Sequence, residues 1–190
     1  MYKNILLAYA PGSRGFMLGK WLIINGLATP KGNISGRNIQ IDGVNDSFTP
    51  FYNDALFFPS GTQIFDNVNK LLTNPESSVN DLVKIITTSK DQPLAPASNL
   101  IMTHHASESG LEKLGKAFNA HVLRVTFADR DQARDAQIRK SVLEGWITDV
   151  AEEFLEKEYF PFIRNFSYSI DITMDQVNNL ELDFLKSKLA

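Results

Sequence analysis

The most constraining feature of the chain is an apolar run at residues 4–9 that stops at Pro11 and Gly12, with a helix-like pattern over residues 15–25 directly after it. This order predicts a buried strand, a tight turn and a helix in succession. Gly12 and Gly15 allow backbone N–H groups of the turn to point inward, next to the positive end of the helix dipole. We therefore expect an anion-binding loop between the first strand and the first helix.

Two side chains of this turn suit a charged ligand. Ser13 offers a hydroxyl donor, and Arg14 offers a forked guanidinium that fits phosphate-like groups. The candidate loop comprises Pro11, Gly12, Ser13, Arg14, Gly15 and Phe16. The alternative is a strand that turns tightly into a core helix without binding a ligand, because glycine-rich turns also serve packing.

The loop lacks the spacing of an ATP-binding Walker motif, in which four residues separate the first glycine from Gly-Lys-Ser/Thr. Counting back from Gly19 and Lys20 places Arg14 at the first glycine, and Trp21 stands where a magnesium-binding hydroxyl is required. The sequence therefore predicts against magnesium–ATP binding of this kind, and no metal is expected at the loop.

Length and composition narrow the classes of function. The 190 residues suit one domain, 1–190, and the net charge of −3 gives no general attraction for nucleic acid or anionic membranes. The absence of cysteine excludes disulfides, thiol chemistry and zinc–thiolate sites. No stretch is long enough to cross a bilayer and no cleavable signal is visible, so we expect a cytoplasmic protein.

Strand and helix patterns alternate in the second half of the chain, which is typical of parallel strands joined by crossover helices. Strands are predicted at residues 99–102, 121–127 and 167–172, and helices at 108–118, 130–159 and 182–189. In the first half, residues 29–54 are predicted to be loop with a small hairpin around 38–41, and helices are predicted within 62–72 and 78–87. The fold class is therefore α/β, three-layer, with a mostly parallel sheet flanked by helices.

Three segments follow the carboxyl ends of predicted strands, namely residues 11–15, 103–107 and 129–134. Ligands of open α/β sheets bind beyond these ends. We therefore expect the three segments to converge on one crevice.

The same segments resemble the P-loop sulfotransferase-like superfamily, in small members of the kind often carried by bacteriophages. The family's loop, Tyr-Pro-Lys-Ser-Gly-Thr-Thr-Trp, corresponds to residues 11–18, and its Lys-Thr-His at the end of a later strand corresponds to Met102, Thr103 and His104. A further family strand ends in an Arg with a Ser some residues on, and corresponds to residues 124–141. The resemblance covers residues 2–146 and implies a P-loop NTPase-like fold.

The resemblance implies that the protein binds 3′-phosphoadenosine-5′-phosphosulfate and transfers its sulfuryl group to a hydroxyl or amine. It implies that residues 11–16 hold the phosphosulfate, that His104 or His105 accepts the acceptor's proton, and that Arg130 and Arg134 hold the 3′-phosphate. An imidazole with an ordinary pKa near ~6.5 is partly neutral at cytosolic pH and suits that role.

Two family lysines are replaced in this sequence, by Gly12 and by Met102. Neutralising the leaving phosphate is therefore assigned to Arg14 or to Lys20.

Each candidate side chain also has a purely structural interpretation. Thr103, His105 or Ser107 can cap the following helix, and adjacent histidines on extended backbone point in different directions. Arg130 and Arg134 alternate with aspartates, as on any solvated helix face. His121, at the start of a strand, is expected to be structural.

The C-terminal part of the chain is rich in aromatic residues, for which burial in the core is expected and a protein-partner surface is the alternative. The aromatic set is Phe154, Tyr159, Phe160, Phe162 and Phe166, and an apolar stripe comprises Ile138, Val142, Ile147, Val150 and Phe154. Besides the sulfotransferase-like enzyme, a non-catalytic phage virion or accessory protein on the same fold stays open, located in the host cytoplasm or the virion. A P-loop metabolite kinase is the third alternative.

Overall fold

The computed structural model describes residues 4–28, 51–52, 70–74, 76–81, 84, 100–104, 107–145 and 151–190. In chain order the elements are β1 (Asn4–Ala8), α1 (Gly15–Ile24), β2 (Phe51–Tyr52), β3 (Leu100–Thr103), α2 (Glu108–Phe118), β4 (Ala120–Thr126), α3 (Arg130–Glu144), α4 (Glu152–Glu158), a 3₁₀ helix (Phe160–Ile163), β5 (Ile170–Thr173), α5 (Met174–Asn178) and α6 (Phe184–Leu189). Residues 70–73 are also helical, as are 79–81 and 84.

The five strands form one sheet in the order β2-β3-β1-β4-β5, and every neighbouring pair is parallel. β1 lies at the centre, where Leu7 is in register with Met102 of β3 on one side and with Leu123 of β4 on the other. All three side chains are fully buried, as strands covered on both faces require. The expected α/β fold with a parallel sheet is confirmed.

Helices cover both faces of this sheet, and two glycines show which helix lies on which face. A Cβ added at Gly19 of α1 would lie 3.3 Å from the sulfur of Met102, whereas one at Gly115 of α2 would lie 2.6 Å from Val122. Met102 is in register with Leu7, but Val122 is in register with Leu6, whose side chain points the other way. α1 and α2 therefore pack on opposite faces of the sheet.

A buried arginine ties the C-terminal segment to the sheet. Arg124 of β4 is fully buried, and its guanidinium donates to the carbonyl oxygens of Pro161 and Arg164, both at 2.8 Å. It also lies 3.3 Å from the carboxylate of Asp171 and 3.5 Å above the centre of the Phe166 ring. Removal from water lowers the pKa of Arg124, while the charge of Asp171 opposes that shift.

Several predicted element boundaries are wrong for identifiable reasons. The single helix predicted over 130–159 is two helices, because Gly145 adopts a left-handed conformation (φ 70°) and ends α3 with its N–H bonded to α3 carbonyls. β2 lies inside the predicted loop, and α5 was not predicted. The hairpin predicted around residues 38–41 lies outside the described residues.

Burial divides the apolar residues of the C-terminal part. Tyr159, Phe160, Phe162 and Phe166 are buried, which confirms core placement for four of the five aromatic residues. The core prediction is wrong for Ile138, Val142 and Phe154, which are exposed by 42%, 64% and 45%. The reason is that α3 faces the core with Ala133 and Ala136 instead, while Ile147 and Val150 lie outside the described residues.

Candidate functional site

The predicted anion loop leaves the carboxyl end of β1 and opens α1, as the sequence pattern indicates. Gly12 and Arg14 both have positive φ, 84° and 69°, so the chain reverses within a few residues. Arg14 is the N-cap of α1 and is exposed, no side chain caps this helix, and its first turn has no acidic residue. The positive end of this described helix is thus not neutralised by a cap or a carboxylate of its own first turn.

Ser13 lies inside the loop and is fully buried. Its backbone N–H and its hydroxyl both donate to the carbonyl oxygen of Ala10, at 3.1 and 2.7 Å. The hydroxyl predicted to serve a ligand is therefore engaged in holding the turn, which leaves Arg14 as the outward-facing donor side chain of this pair.

Both loop glycines are explained by close packing. A Cβ on Gly12 would lie 2.3 Å from the carbonyl oxygen of Ala136, so α3 approaches the loop backbone directly. A Cβ on Gly15 would overlap the ring of Tyr9, at 2.1 Å from Cγ. Close packing therefore accounts for both glycines without a ligand, as the structural interpretation of the turn predicts.

His104 lies beside this loop because β3 is the parallel neighbour of β1. Ala8 is in register with Thr103, and the N–H of Tyr9 donates to the Thr103 carbonyl at 3.0 Å. His104 follows directly, half-buried, with its Nδ1 2.8 Å from the carbonyl oxygen of Tyr9. A carbonyl only accepts, so Nδ1 carries the proton and the neutral ring has its lone pair on Nε2.

The capping alternative for this segment is resolved in favour of Ser107, whose side chain accepts from the N–H of Gly110 at the start of α2. His104 is therefore not the cap of α2. His105 lies outside the described residues.

Arg130 and Arg134 lie at the same edge of the sheet, at the start of α3, but each is held by other side chains. Arg130 contacts Glu156 at 2.6 Å and Glu152 at 3.5 Å, and Arg134 contacts Glu152 at 2.9 Å. Both guanidiniums also lie over the ring of Phe160, at 4.5 and 5.6 Å from its centre. The hydrogen bond to Glu152 is the main cause that raises the pKa of Arg134.

This arrangement favours the structural interpretation of the two arginines. Among the described residues, their acidic partners come mainly from α4, about 20 positions further along the chain, and one contact, between Arg134 and Asp131 at 3.6 Å, lies within α3. A 3′-phosphate would have to compete with those carboxylates for either guanidinium.

Tyr9 is the residue that sequence reasoning missed, since it was assigned only as the end of the first strand. Its ring contacts Gly15, packs edge-on against Phe16 at 5.9 Å, and packs edge-on against His104 at 4.4 Å between centres. An aromatic residue two positions before the Pro-Gly turn is the available sequence signal. Lys20, the alternative partner for the leaving group, is 3% exposed on α1.

Within the described ranges, no three or more acidic or histidine side chains lie close enough to hold a metal ion. In the same part of the chain, no helix combines the length and apolar character that spanning a bilayer requires. No protein-family model matches the chain, and no curated protein matches it significantly.

Proposed function

We propose that the protein binds 3′-phosphoadenosine-5′-phosphosulfate at the loop from Pro11 to Phe16 and transfers its sulfuryl group to a hydroxyl or amine, on a P-loop NTPase-like fold. One observation carries the proposal: His104, with its Nδ1 2.8 Å from the carbonyl oxygen of Tyr9, packs on the same Tyr9 ring as the first turn of α1, whose N-cap is Arg14. Sulfuryl transfer needs a proton acceptor beside a site suited to an anion, and the carboxyl edge of a parallel sheet is where ligands of such folds bind, so this arrangement supports the proposal.

The topology supports the same edge. β1 and β4 are neighbours in the sheet. The next strand after β1 in the chain, β2, lies at one edge of the sheet, whereas the next strand after β4, β5, lies at the other edge. Connections that leave neighbouring strands in opposite directions open a crevice between them, and ligands of such sheets bind there.

The proposed transfer uses His104 as the base, and Arg14 with the amides of α1 to stabilise the leaving group. Nε2 of His104 takes the proton of the acceptor as the acceptor's oxygen or nitrogen forms a bond to sulfur. The bond between sulfur and the phosphate oxygen breaks, and the departing nucleotide keeps the electron pair. Arg14 and the amides that open α1 stabilise the charge that develops on that oxygen.

A non-catalytic anion-binding protein on the same fold is the second candidate, and two observations favour it. Gly12 stands where the sulfotransferase-like family has a lysine, and Arg130 and Arg134 are paired with Glu152 and Glu156. Both features reduce the positive charge available to a nucleotide with two phosphate positions.

Calorimetric titration with 3′-phosphoadenosine-5′-phosphate tests the binding step. We expect binding by the full chain and at least about tenfold weaker binding by Arg14→Ala, because a charge-assisted contact contributes about 1.5–3 kcal/mol. Arg164→Ala removes another exposed arginine and is the matched control. No binding at millimolar ligand rules the proposal out, and binding of magnesium–ATP alone supports the metabolite kinase instead.

His104→Ala separates the enzyme from the binding protein. In this variant sulfuryl transfer to a panel of phenols and amines is expected to fall by about 100-fold or more, with nucleotide affinity retained, since a general base acts mainly in the transition state. His121→Ala is the control, because His121 is in register with Ile5 near the amino ends of the strands. Unchanged turnover in His104→Ala contradicts the assigned base, and nucleotide binding without turnover in the unaltered chain supports the non-catalytic candidate.

A further inference from the structure

We propose that Tyr9 is a positioning residue for His104, with its carbonyl selecting the ring nitrogen that is protonated and its ring fixing the tilt of the imidazole. This inference rests on the proposed function for its catalytic meaning, but its structural content stands separately. Tyr9 belongs to no helix or strand and is only 2% exposed, and its geometry is set by backbone hydrogen bonds and by the packing around its ring.

The backbone of Tyr9 is fixed first. Its N–H donates to the Thr103 carbonyl and its own carbonyl accepts from His104, so Tyr9 continues the pairing of β1 with β3 past the last ladder residues. A carbonyl held in this way imposes the Nδ1–H form on the neutral ring. An unfixed imidazole would divide between both tautomers, and only the Nδ1–H form has an acceptor at Nε2.

The ring of Tyr9 is fixed next, from the side of the anion loop. Gly15, the first residue of α1, lies so close that a side chain there would overlap the ring, and Phe16 contacts the ring edge-on. A third contact is the edge-on packing against His104, with 61° between the ring planes. The same ring therefore supports the first turn of the anion-binding helix and the imidazole.

This arrangement explains why a glycine stands at position 15. Gly15 has no positive φ that would require glycine, unlike Gly12. The requirement comes from the Tyr9 ring, which occupies the space of a Cβ. A substitution at Gly15 is thus expected to act on His104 through Tyr9, without a direct contact.

Long-range ¹H–¹⁵N correlation spectra of the full chain with ¹⁵N-labelled histidine report which imidazole nitrogen is protonated. We expect His104 in the unaltered protein to show a protonated Nδ1 and an unprotonated Nε2 at pH 8. Tyr9→Phe keeps both the ring and the carbonyl, so the same spectrum is expected. Tyr9→Leu and Gly15→Ala also keep the carbonyl, but the first removes and the second displaces the ring that holds the imidazole against it. The imidazole of both variants is then free to turn away from the carbonyl, so both should give a mixed-tautomer signal.

Gly19→Ala is the matched control for Gly15→Ala. It makes the same change one turn later in α1, where the added Cβ meets the flexible end of Met102 and, at 3.5 Å, a side-chain carbon of Leu100, and His104 should keep its tautomer. Far-UV circular dichroism identifies any variant that does not fold. If Gly15→Ala fails to fold, the comparison of Tyr9→Leu with Tyr9→Phe still tests whether Tyr9 positions His104.

Kinetics supply the second readout if the chain is active. Tyr9→Leu should lower kcat by about 10- to 100-fold, less than the loss of the base itself and by a larger factor than any rise in KM for the nucleotide, and Tyr9→Phe should restore the rate. A wild-type tautomer in Tyr9→Leu overturns the positioning role, and so does a Tyr9→Phe variant as impaired as Tyr9→Leu. An inactive wild-type chain with the expected spectra refutes only the transfer reaction.

Discussion

At the scale of one residue, the buried guanidinium of Arg124 is expected to contribute strongly to the stability of the fold. Its guanidinium is the donor for two backbone carbonyls of the segment that follows α4, and it faces Asp171, which is 18% exposed. Its Nε is buried without a hydrogen-bond partner among the described residues, and the guanidinium lies over Phe166. Removing this cation leaves several acceptors without donors in a place that water does not reach.

Arg124→Met is therefore expected to lower the free energy of unfolding by about 3 kcal/mol, as for other broken buried pairs. Asp171→Asn should cost less, about 1 kcal/mol, because the two carbonyls keep their donor. Urea denaturation measures both. Lys116→Met removes an exposed partner of Glu112 and should change stability by less than about 0.5 kcal/mol. A loss in Arg124→Met no larger than in this control contradicts the role assigned to Arg124.

The sequence reveals only part of this detail. Arg124 sits in an apolar strand pattern that gives no hint of its acceptors, because Pro161 and Arg164 lie about 40 positions further along the chain. The ion pairs of Arg130 and Arg134 with the glutamates of α4 cannot be predicted from the sequence for the same reason. By contrast, the proximity of His104 to the anion loop follows from local patterns, since two parallel strands that end together bring their next residues together. Its catalytic role stays a prediction.

At the scale of elements, the contact between the anion loop and α3 is set by the absence of a side chain at Gly12. A Cβ there would meet the backbone carbonyl of Ala136, which cannot move without shifting the helix. Gly26, after α1, has a similar positive φ of 71° but open space around it. Comparing substitutions at these two glycines therefore separates the loss of stability caused by close packing from the loss caused by backbone conformation.

Gly12→Ala is expected to lower the free energy of unfolding by about 3 kcal/mol, the sum of left-handed strain and overpacking. Gly26→Ala should cost only about 1 kcal/mol, from conformation alone. Chemical denaturation of the two variants gives the difference. Equal losses of stability in the two variants would show that α3 moves to accommodate the added Cβ at little cost in free energy.

Local signals also decided which elements were predicted well. The predicted bounds of α2, 108–118, match those observed, because Ser107 supplies a cap and the apolar residues repeat at helical spacing. β2 has two residues, too few for any periodicity to be visible. α3 ends at Gly145, although the residues on both sides of it continue a helical pattern. The pattern alone therefore does not predict this helix end.

At the scale of the whole molecule, the dependence of stability on pH has an identifiable alkaline component. Burial raises the pKa of Tyr168, whose hydroxyl donates to the carbonyl of Glu108 at 2.5 Å. A tyrosine in the unfolded chain loses its proton near pH ~10, whereas the folded protein keeps it to higher pH. The folded state then binds more protons, so the free energy of unfolding must fall as pH rises above about 10.

Tyr168→Phe removes this component. The variant is expected to be less stable at neutral pH by about 1 kcal/mol, through the lost hydrogen bond, but to lose less further stability between pH 9 and about 11. Urea denaturation at a series of pH values compares the two slopes. Parallel curves would mean that Tyr168 ionises equally in the folded and unfolded chain.

The central place of β1 has a consequence for biosynthesis. Its two neighbours are β3, which begins at Leu100, and β4, which ends at Thr126, so both edges of β1 are paired only after well over 100 further residues have been made. At about 5–20 residues per second a ribosome needs roughly 6–25 s to deliver those partners. Until then the apolar β1 segment lacks at least one of its two partner strands, and a chaperone that shields short apolar stretches would find its target in this segment.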